Sequence, residues 1–274
     1  MTDKLDDLLK NLSDKERQVL IKQLGGTDKS AVKTYRHSFP KNHAKFGYFS
    51  DSHIGHKKFQ EDAFYHMGCN AIQEGVDIIY CSGDILEGMS GRDGHIYELD
   101  KIGFTAQIEY AEQLFKMFPK LDFHAITGNH DQWYSIKNNG GVCVGKELEQ
   151  RCKNFHFLGE NEADIMLSKN IKMKLFHAND GSAYATSYKL QKLVESFTGG
   201  DKPHIVLEGH YHKSMSAWIR NVFAVEAGTL CGQSWFMRGK KIQANMGYGI
   251  MDVWYDKSGL KRVDHSFYPE FERK

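Results

Sequence analysis

Short runs of continuous apolar residues alternate along the chain with stretches in which apolar residues recur every three to four positions. The first pattern predicts buried strands, and the second predicts amphipathic helices. The strands are predicted at residues 46–49, 76–80, 123–126, 173–176 and 205–207, and the helices between them at 59–74, 98–118 and 183–197. Because strands and helices alternate, we expect a layered α/β fold.

The two ends of the chain follow different patterns. The runs 222–225, 250–254 and 263–268 predict antiparallel strands. The first 43 residues predict helices instead, because apolar residues at 5, 8, 9 and 12 have helical spacing and Ser13 and Glu16 form a capping-box pattern. A further short helix is predicted from Thr27 or Ser30 through Tyr35. We therefore expect a helical N-terminal extension (1–43) and a main domain (44–274).

The extension has the spacing of a helix-turn-helix between residues 16 and 37. A helical arm that packs on the main domain or joins copies of the chain is the favoured interpretation. These helices are therefore where we expect a homo-oligomer contact or a replication or repair partner.

The composition is that of an ordinary globular protein and does not by itself indicate a binding partner. The chain has 36 basic and 35 acidic residues, a formal net charge of +1. No run of about 18 apolar residues is present, so no membrane partner is expected. The five cysteines are scattered, which argues against a disulfide framework and favours a reducing, cytoplasmic setting.

Polar side chains follow five of the predicted strands at the point where each strand ends. In open α/β sheets, this edge is where ligands bind. The residues are Asp51 and His53 after the first strand, Asp84 after the second, Asn129, His130 and Asp131 after the third, His177 after the fourth, and His210 and His212 after the fifth.

These residue types are metal ligands. Asp51 and His53 stand two residues apart, so both side chains point to one side of an extended chain and can reach one ion. His210 and His212 have the same spacing. Neutral imidazole and carboxylate suit Mn²⁺, Fe²⁺ or Zn²⁺, and a set without thiolates argues against a structural zinc site. The set exceeds the ligands that one ion takes, which favours two ions that clamp a phosphate and activate water.

The strand-end motifs also stand in the order typical of a known family. They resemble the motifs of the calcineurin-like metallophosphoesterases, over roughly residues 44–256. The resemblance implies an α/β fold, a four-layer α/β/β/α metallophosphoesterase sandwich, here with a short helical N-terminal extension. The motifs are Asp51-x-His53, Gly83-Asp84, Gly128-Asn129-His130-Asp131, His177 and Gly209-His210-x-His212.

The resemblance further implies a role for each site residue. One metal ion would bind Asp51, His53, Asp84 and His212, and the second would share Asp84 and bind Asn129, His177 and His210. His130 would stabilise charge on the phosphate or protonate the leaving oxygen, with Asp131 holding its ring. The nucleophile would be a hydroxide bridging two divalent ions, with Mn²⁺ favoured and Fe²⁺, Zn²⁺, Ni²⁺ and Co²⁺ as alternatives.

The amino-acid sequence around the first two motifs favours a nucleic-acid substrate. It is similar to that of Mre11/SbcD-type nucleases and of the small subunit of archaeal D-family DNA polymerase. Lys57 and Lys58 follow the first ligand pair, where a phosphate backbone would approach. Arg238 follows two aromatic residues closely in the sequence, and a basic side chain next to aromatic rings is suited to binding single-stranded nucleic acid. The remaining candidate substrate-binding residues are His56, Arg92 and His95.

We therefore predict a phosphodiesterase or nuclease that hydrolyses nucleic-acid phosphodiester bonds. A phosphomonoesterase or a nucleotide pyrophosphatase acting on a small molecule is the alternative within the same chemistry. A non-catalytic scaffold subunit is a third interpretation, and the intact ligand set argues against it.

Overall fold

The structure, a computed structural model, describes residues 32–135 and 141–272. The chain divides into two units, Met1–Val32 and Lys33–Lys274, and the described residues belong almost entirely to the second. The helices predicted before residue 32 lie outside the described residues. These helices, and the partner assigned to them, therefore stay predictions.

Twelve strands and five α-helices form the described part of the chain. The strands are β1 (Thr34–Arg36), β2 (His43–Phe49), β3 (Ile78–Ser82), β4 (Asp122–Thr127), β5 (Phe155–Glu160), β6 (Glu162–Ser168), β7 (Ile171–His177), β8 (Ile205–Gly209), β9 (Ser214–Ile219), β10 (Val222–Ala227), β11 (Gly247–Asp256) and β12 (Gly259–Pro269). The helices are α1 (Glu61–Gln73), α2 (Phe104–Lys116), α3 (Val144–Arg151), α4 (Tyr188–Ser196) and α5 (Trp235–Gly239).

The strands form two six-stranded sheets. Sheet I has the order β12-β11-β2-β3-β4-β5, and sheet II has the order β1-β6-β7-β8-β10-β9. Within sheet I, β2 to β5 are parallel, and β11 and β12 extend the sheet in antiparallel fashion. Within sheet II, β7, β8 and β10 are parallel. The strands that carry the predicted site residues are thus the parallel centres of both sheets.

The main core lies between the two sheets, and helices cover their outer faces. Along β2, the alternate residues Ala44, Phe46 and Tyr48 enter the core between the sheets, whereas Phe49 packs with α1 and α2 on the other face. On sheet II, Val206 and Ala224 pack outward against Leu190 of α4 and its neighbours. This period of two in burial produces helix, sheet, sheet and helix layers, which confirms the predicted α/β/β/α sandwich.

Some predicted elements differ from the structure at their ends. The predicted helix at 98–118 begins at Phe104, because Gly103 has a φ of 86° and the helix starts after it. The predicted helix through Tyr35 ends in a strand instead: Thr34–Arg36 pairs with β6, since its backbone hydrogen bonds are made within sheet II. Residues 34–36, assigned to the extension, therefore belong to this sheet.

None of the described helices is long and apolar enough to cross a membrane.

Candidate metal centre and adjoining cleft

Loops that follow β2, β3 and β4 of sheet I and β7 and β8 of sheet II bring the seven predicted ligands together. The ligand atoms within each of three groups lie within 4.8 Å of one another. The groups are Asp51, His53 and His212; His53, Asp84 and His130; and Asp84, His177 and His210. The predicted clusters at the strand ends can therefore bind metal ions, and they combine residues of both sheets.

Asn129 joins the last of these groups through its side-chain oxygen. Its Oδ1 atom lies 3.1 Å from Nε2 of His177 and 2.9 Å from Nδ1 of His210. Nε2 of His210 donates to the carbonyl oxygen of Asp180 at 2.7 Å, so the Nδ1 lone pair faces the amide oxygen. Two acceptors facing each other at this distance repel unless a cation or a proton lies between them.

At five of the seven predicted ligands the backbone is left-handed rather than extended. The φ angles are 51° at Asp51, 50° at His53, 50° at Asp84, 89° at His210 and 55° at His212. The prediction that each pair projects from an extended chain is therefore wrong. The side chains converge because tight turns follow the strands, and side chains held at positive φ are a strained arrangement that clusters at functional sites.

Two glycines leave the space into which the ligands fit. A Cβ atom at Gly128 would collide with the carboxylate of Asp84 and the imidazole of His177. A Cβ atom at Gly209 would collide with the side chain of Ser50 and with a carbonyl oxygen at the end of β3. Close approach of backbone to the ligands thus explains glycine at both motif positions.

The two buried carboxylates are held in their charged form. Burial would raise the pKa of each, but at Asp51 the hydrogen bond and charge of His212 outweigh burial and lower the pKa to about 2. At Asp84, burial is outweighed chiefly by the charge of His177, which holds the pKa of this carboxyl well below its usual range. Each carboxylate therefore needs a positive neighbour to stay buried and charged.

The imidazoles supply that charge as protons, and a divalent cation would supply it equally. Burial would lower the pKa of His177 and His130, but Asp84 raises the pKa of His177 to about 9, and Asp84 with Glu87 raises that of His130 to about 10. Metal ions compete with protons for such ligands, because the imidazole must be neutral to bind.

Hydrogen bonds aim the other histidine lone pairs into the centre. Nδ1 of His177 donates to a carbonyl oxygen at the end of β3 at 2.6 Å, so Nε2 is the ring nitrogen that faces Asp84, 3.2 Å away, and that binds a metal ion once its proton is lost. Nδ1 of His53 donates to Glu87 at 2.7 Å, and its Nε2 lies 3.0 Å from Nε2 of His212. Facing lone pairs of this kind fit a cation between them, and the donor set is suited to borderline divalent metals.

Glu87 is the site residue whose role sequence reasoning missed. Its carboxylate is 4% exposed and accepts from His53 through Oε2 and from Nε2 of His95 through Oε1, each at 2.7 Å. Nδ1 of His130 lies 2.9 Å from the Glu87 carbonyl oxygen and 3.4 Å from its carboxylate. One residue therefore orients a predicted ligand and the predicted catalytic histidine. The signal in the sequence was its place three residues after Asp84.

Asp131 has a different role from the predicted one. Its buried carboxylate accepts from the backbone N–H groups of Ile85, Leu86 and Gly128, at 3.1, 2.8 and 2.9 Å. It therefore ties the loop after β3 to the loop after β4. The contacts that hold the ring of His130 come from Glu87, because the Asp131 carboxylate is already engaged with backbone donors.

Sequence comparison places this centre in a family. The profile of the calcineurin-like phosphoesterase superfamily domain matches residues 45–253, most of the chain. The chain belongs to the calcineurin-like phosphoesterase superfamily. Paired metal ions are typical of this superfamily, and the His and Asp groups described above can hold metal ions. No match was found among curated protein sequences.

Several solved structures are similar to this phosphoesterase. One is a novel archaeal phosphodiesterase, with 14% identity and a TM-score of 0.46 over 82% of this chain and 100% of that chain. Another is Vps29 from Entamoeba histolytica complexed with zinc, with 13% identity and a TM-score of 0.40 over 82% and 99%. A putative 5′-nucleotidase from Staphylococcus aureus has 11% identity and a TM-score of 0.44 over 85% and 55%.

A cavity of about 420 Å³ opens beside the centre of this phosphoesterase, and three predicted substrate-binding residues line it. Arg92 pairs with Glu98 at 3.1 Å, and His56 approaches the same carboxylate at 3.4 Å. His95 is 2% exposed and donates to Glu87. Of the three, Arg92 is the most exposed.

The other three predicted substrate-binding residues do not line this cavity. Nζ of Lys57 donates to the carbonyl oxygen of Tyr97 at 2.8 Å, and the ammonium of Lys58 forms an ion pair with Glu272. The guanidinium of Arg238 lies over the ring of its neighbour Trp235, with 6.0 Å to the ring centroid. The sequence did not indicate the ion pair of Lys58, because its partner lies more than two hundred residues further along the chain.

Proposed function

We propose that this phosphoesterase is a dinuclear-metal phosphodiesterase that hydrolyses phosphodiester bonds of nucleic acids. The observation that carries the proposal is the position of the cavity. Its lining combines ligand residues and His130 with the side chains of Arg92 and Phe236. A phosphate bound at the ligand residues leaves room in the cavity for an organic group.

The predicted ligand sets are the ones we propose to hold the two ions. The first ion would be held by Asp51, His53, Asp84 and His212, and the second by Asp84, Asn129, His177 and His210. Two divalent ions in such a site supply positive charge to the phosphate oxygens and an activated water for in-line attack. Mn²⁺ is the favoured metal, because imidazole, carboxylate and amide oxygen suit it.

His130 is the residue we propose to act on the phosphate. Its backbone N–H donates to Asp84 at 2.8 Å, and its Nδ1 is fixed against the carbonyl oxygen of Glu87. Trp133 packs on the ring, with centroids 3.9 Å apart. A ring held on these sides presents one edge to the cavity, where it stabilises charge that develops on phosphate or gives a proton to the leaving oxygen.

The part of the cavity lining away from the metal ligands favours a diester over a monoester. A monoester carries two negative charges near neutral pH, whereas a diester carries one and has a second organic group. Arg92 is the sole Lys or Arg among the described residues that line the cavity, and Glu98 and Asp180 line it too. Phe236, together with Met237 on the same helix, offers the apolar contact that a second organic group needs.

The proposal is tested on protein stripped of metal and reconstituted with Mn²⁺. Bis(p-nitrophenyl) phosphate and end-labelled single-stranded DNA form one arm, and p-nitrophenyl phosphate forms the other. We expect turnover of the diester and of DNA, and its loss in Asp84→Asn. Asp77→Asn is the matched control, because Asp77 is exposed and precedes the opposite end of β3, and we expect it to behave as the wild type.

Turnover of the monoester alone would overturn the proposal and favour a phosphomonoesterase acting on a small molecule. Turnover of the diester without cleavage of DNA would retain the phosphodiesterase and overturn the nucleic-acid substrate. No turnover of any ester by the Mn²⁺-loaded protein would favour a non-catalytic member of the fold.

A further inference from the structure

One part of the cavity lining is aromatic and cationic at once. The guanidinium of Arg92 lies 4.9 Å from the ring centroid of Phe236. Glu98 holds the same guanidinium at 3.1 Å, so Arg92 is fixed between a carboxylate and a ring. The two residues come from distant segments, the loop after β3 and helix α5, and they meet across the cleft.

Phe236 keeps its place through its helix rather than through burial of its own ring. The ring is 44% exposed, although the next residue, Met237, is 7% exposed and anchors α5 to the protein. The hydroxyl of Ser234 accepts from the backbone N–H of Met237 at 3.2 Å and caps this short helix. The chain therefore holds a large apolar ring partly in solvent, in the lining of a cleft, with the guanidinium of Arg92 beside it.

The dimensions of the cavity limit what it accepts. Its volume of about 420 Å³ lies at the lower end of the range of pockets, about 300–1,000 Å³, that hold molecules of drug or nucleotide size. Proteins that track a long backbone use many Lys and Arg contacts to phosphates. Arg92 is the sole such residue that lines this cavity within the described chain.

We propose that the cavity binds the terminal nucleotide of a single-stranded nucleic acid, with its base against Phe236 and its neighbouring phosphate at Arg92. Aromatic rings stack on any base, so Phe236 sets affinity for a nucleoside unit without setting sequence. The proposal rests on the proposed phosphodiesterase function and adds to it that the enzyme acts at chain ends.

The first experiment compares two diesters with the same leaving group. The p-nitrophenyl ester of thymidine 5′-monophosphate carries a base, and methyl p-nitrophenyl phosphate does not. We expect the ratio of their kcat/KM values to fall about tenfold in Phe236→Ala, the effect of losing one base–aromatic stack. In Phe236→Tyr, which keeps a ring, we expect the ratio to recover.

Trp235→Ala is the matched control. Trp235 precedes Phe236 on the same helix and is more exposed, at 78%, but it does not line the cavity. We expect the wild-type ratio in this variant. An unchanged ratio in Phe236→Ala, or an equal fall in Trp235→Ala, would overturn the proposed base site.

The second experiment uses the wild-type enzyme loaded with Mn²⁺ and needs no variant. Linear and circular single-stranded DNA of the same sequence are incubated in parallel. Degradation of the linear strand with the circle intact supports binding of a terminal nucleotide, and equal cleavage of both overturns it. Hydrolysis of methyl p-nitrophenyl phosphate separates the two proposals: if it occurs, the phosphodiesterase stands even where the terminal site fails, and if it does not, the proposed function itself fails.

Discussion

Nδ1 of His53 lies 2.7 Å from the carboxylate of Glu87, which shares its other oxygen with His95. This bond fixes the proton on Nδ1 and leaves Nε2 free for a metal ion. Carboxylates behind metal-binding histidines commonly raise metal affinity by orienting the ring and increasing its basicity.

Glu87→Gln is expected to weaken Mn²⁺ binding about 10- to 100-fold. Glutamine offers one acceptor oxygen where Glu87 uses two, so either His53 or His95 loses its partner. Titration calorimetry with the metal-stripped protein measures the change. Glu98→Gln is the control, because Glu98 contacts His56 and Arg92 but no predicted ligand. An equal loss of affinity in both variants would show that Glu87 has no special relation to the metal.

His130→Ala is expected to keep two metal ions per chain and to lower kcat about 10²- to 10⁴-fold, the usual contribution of a positioned acid or of charge stabilisation. Metal content by mass spectrometry and turnover of bis(p-nitrophenyl) phosphate are measured on the same sample. His130 lies within ligand distance of His53 and Asp84, so the metal content decides its role. Loss of one ion would make His130 a ligand, and full activity would remove it from the mechanism.

His212→Gly is expected to be more stable than His212→Ala by about 1 kcal/mol. His212 has a φ of 55°, where alanine is strained and glycine is not. Urea unfolding in the presence of a chelator measures the difference. Glu109 is exposed and lies inside α2, where the opposite order is expected. The free energy of unfolding of Glu109→Ala should exceed that of Glu109→Gly by about 1 kcal/mol. The same order at both positions would contradict the strained backbone.

A stack of three histidines outside the metal centre predicts sensitivity to acid. The ring of His124 lies 4.3 Å from that of His37 and 4.5 Å from that of His156. Burial, then His37 and His156, lower the pKa of His124 to about 3. Burial also lowers the pKa of His37, whose Nδ1 lies 2.5 Å from the hydroxyl of Tyr80, while Asp122 acts in the opposite direction.

The sign of the effect follows from these directions. Because the pKa of His124 is lower in the folded state, the unfolded chain takes up the proton first. The contribution of His124 to the free energy of unfolding is complete above about pH 6.5. Below that pH it falls by at most about 1.4 kcal/mol per pH unit. His124→Phe keeps a ring and removes the proton site, so its loss between pH 7 and pH 5 should be smaller. Stability is measured by urea unfolding with chelator at each pH. An equal loss of stability between pH 7 and pH 5 in the wild type and in His124→Phe would contradict this account.

The central strands and the ligand set were within reach of the sequence for one reason. Continuous apolar runs identify the central strands, and parallel strands bring the residues that follow them to the same edge. Asp51, Asp84 and His177 could therefore be placed together without knowing a single distance. The family resemblance added the sandwich of two sheets, which the alternation of strands and helices alone does not specify.

The finer arrangement depends on contacts that no local pattern encodes. The left-handed backbone at Asp51 and His210 is imposed by turns whose geometry the packed sheets determine. The pairing of Lys58 with Glu272 joins residues 214 positions apart, so the sequence favoured a free lysine at the cleft. The role of Glu87 depends on the fold bringing His53 and His130 to it. The start of α2 was predicted six residues too early, because the helical pattern of apolar residues extends to positions before Gly103.

The ligand groups also determine when, during synthesis, the chain can first hold a metal ion. His53 and His212 face each other from different sheets, although 159 residues separate them along the chain. A nascent chain that ends before His212 has six of the seven ligands but lacks the one that faces His53. The complete set therefore exists only after β8 has emerged and sheet II has docked on sheet I, so full metal affinity reports the docking of the two sheets.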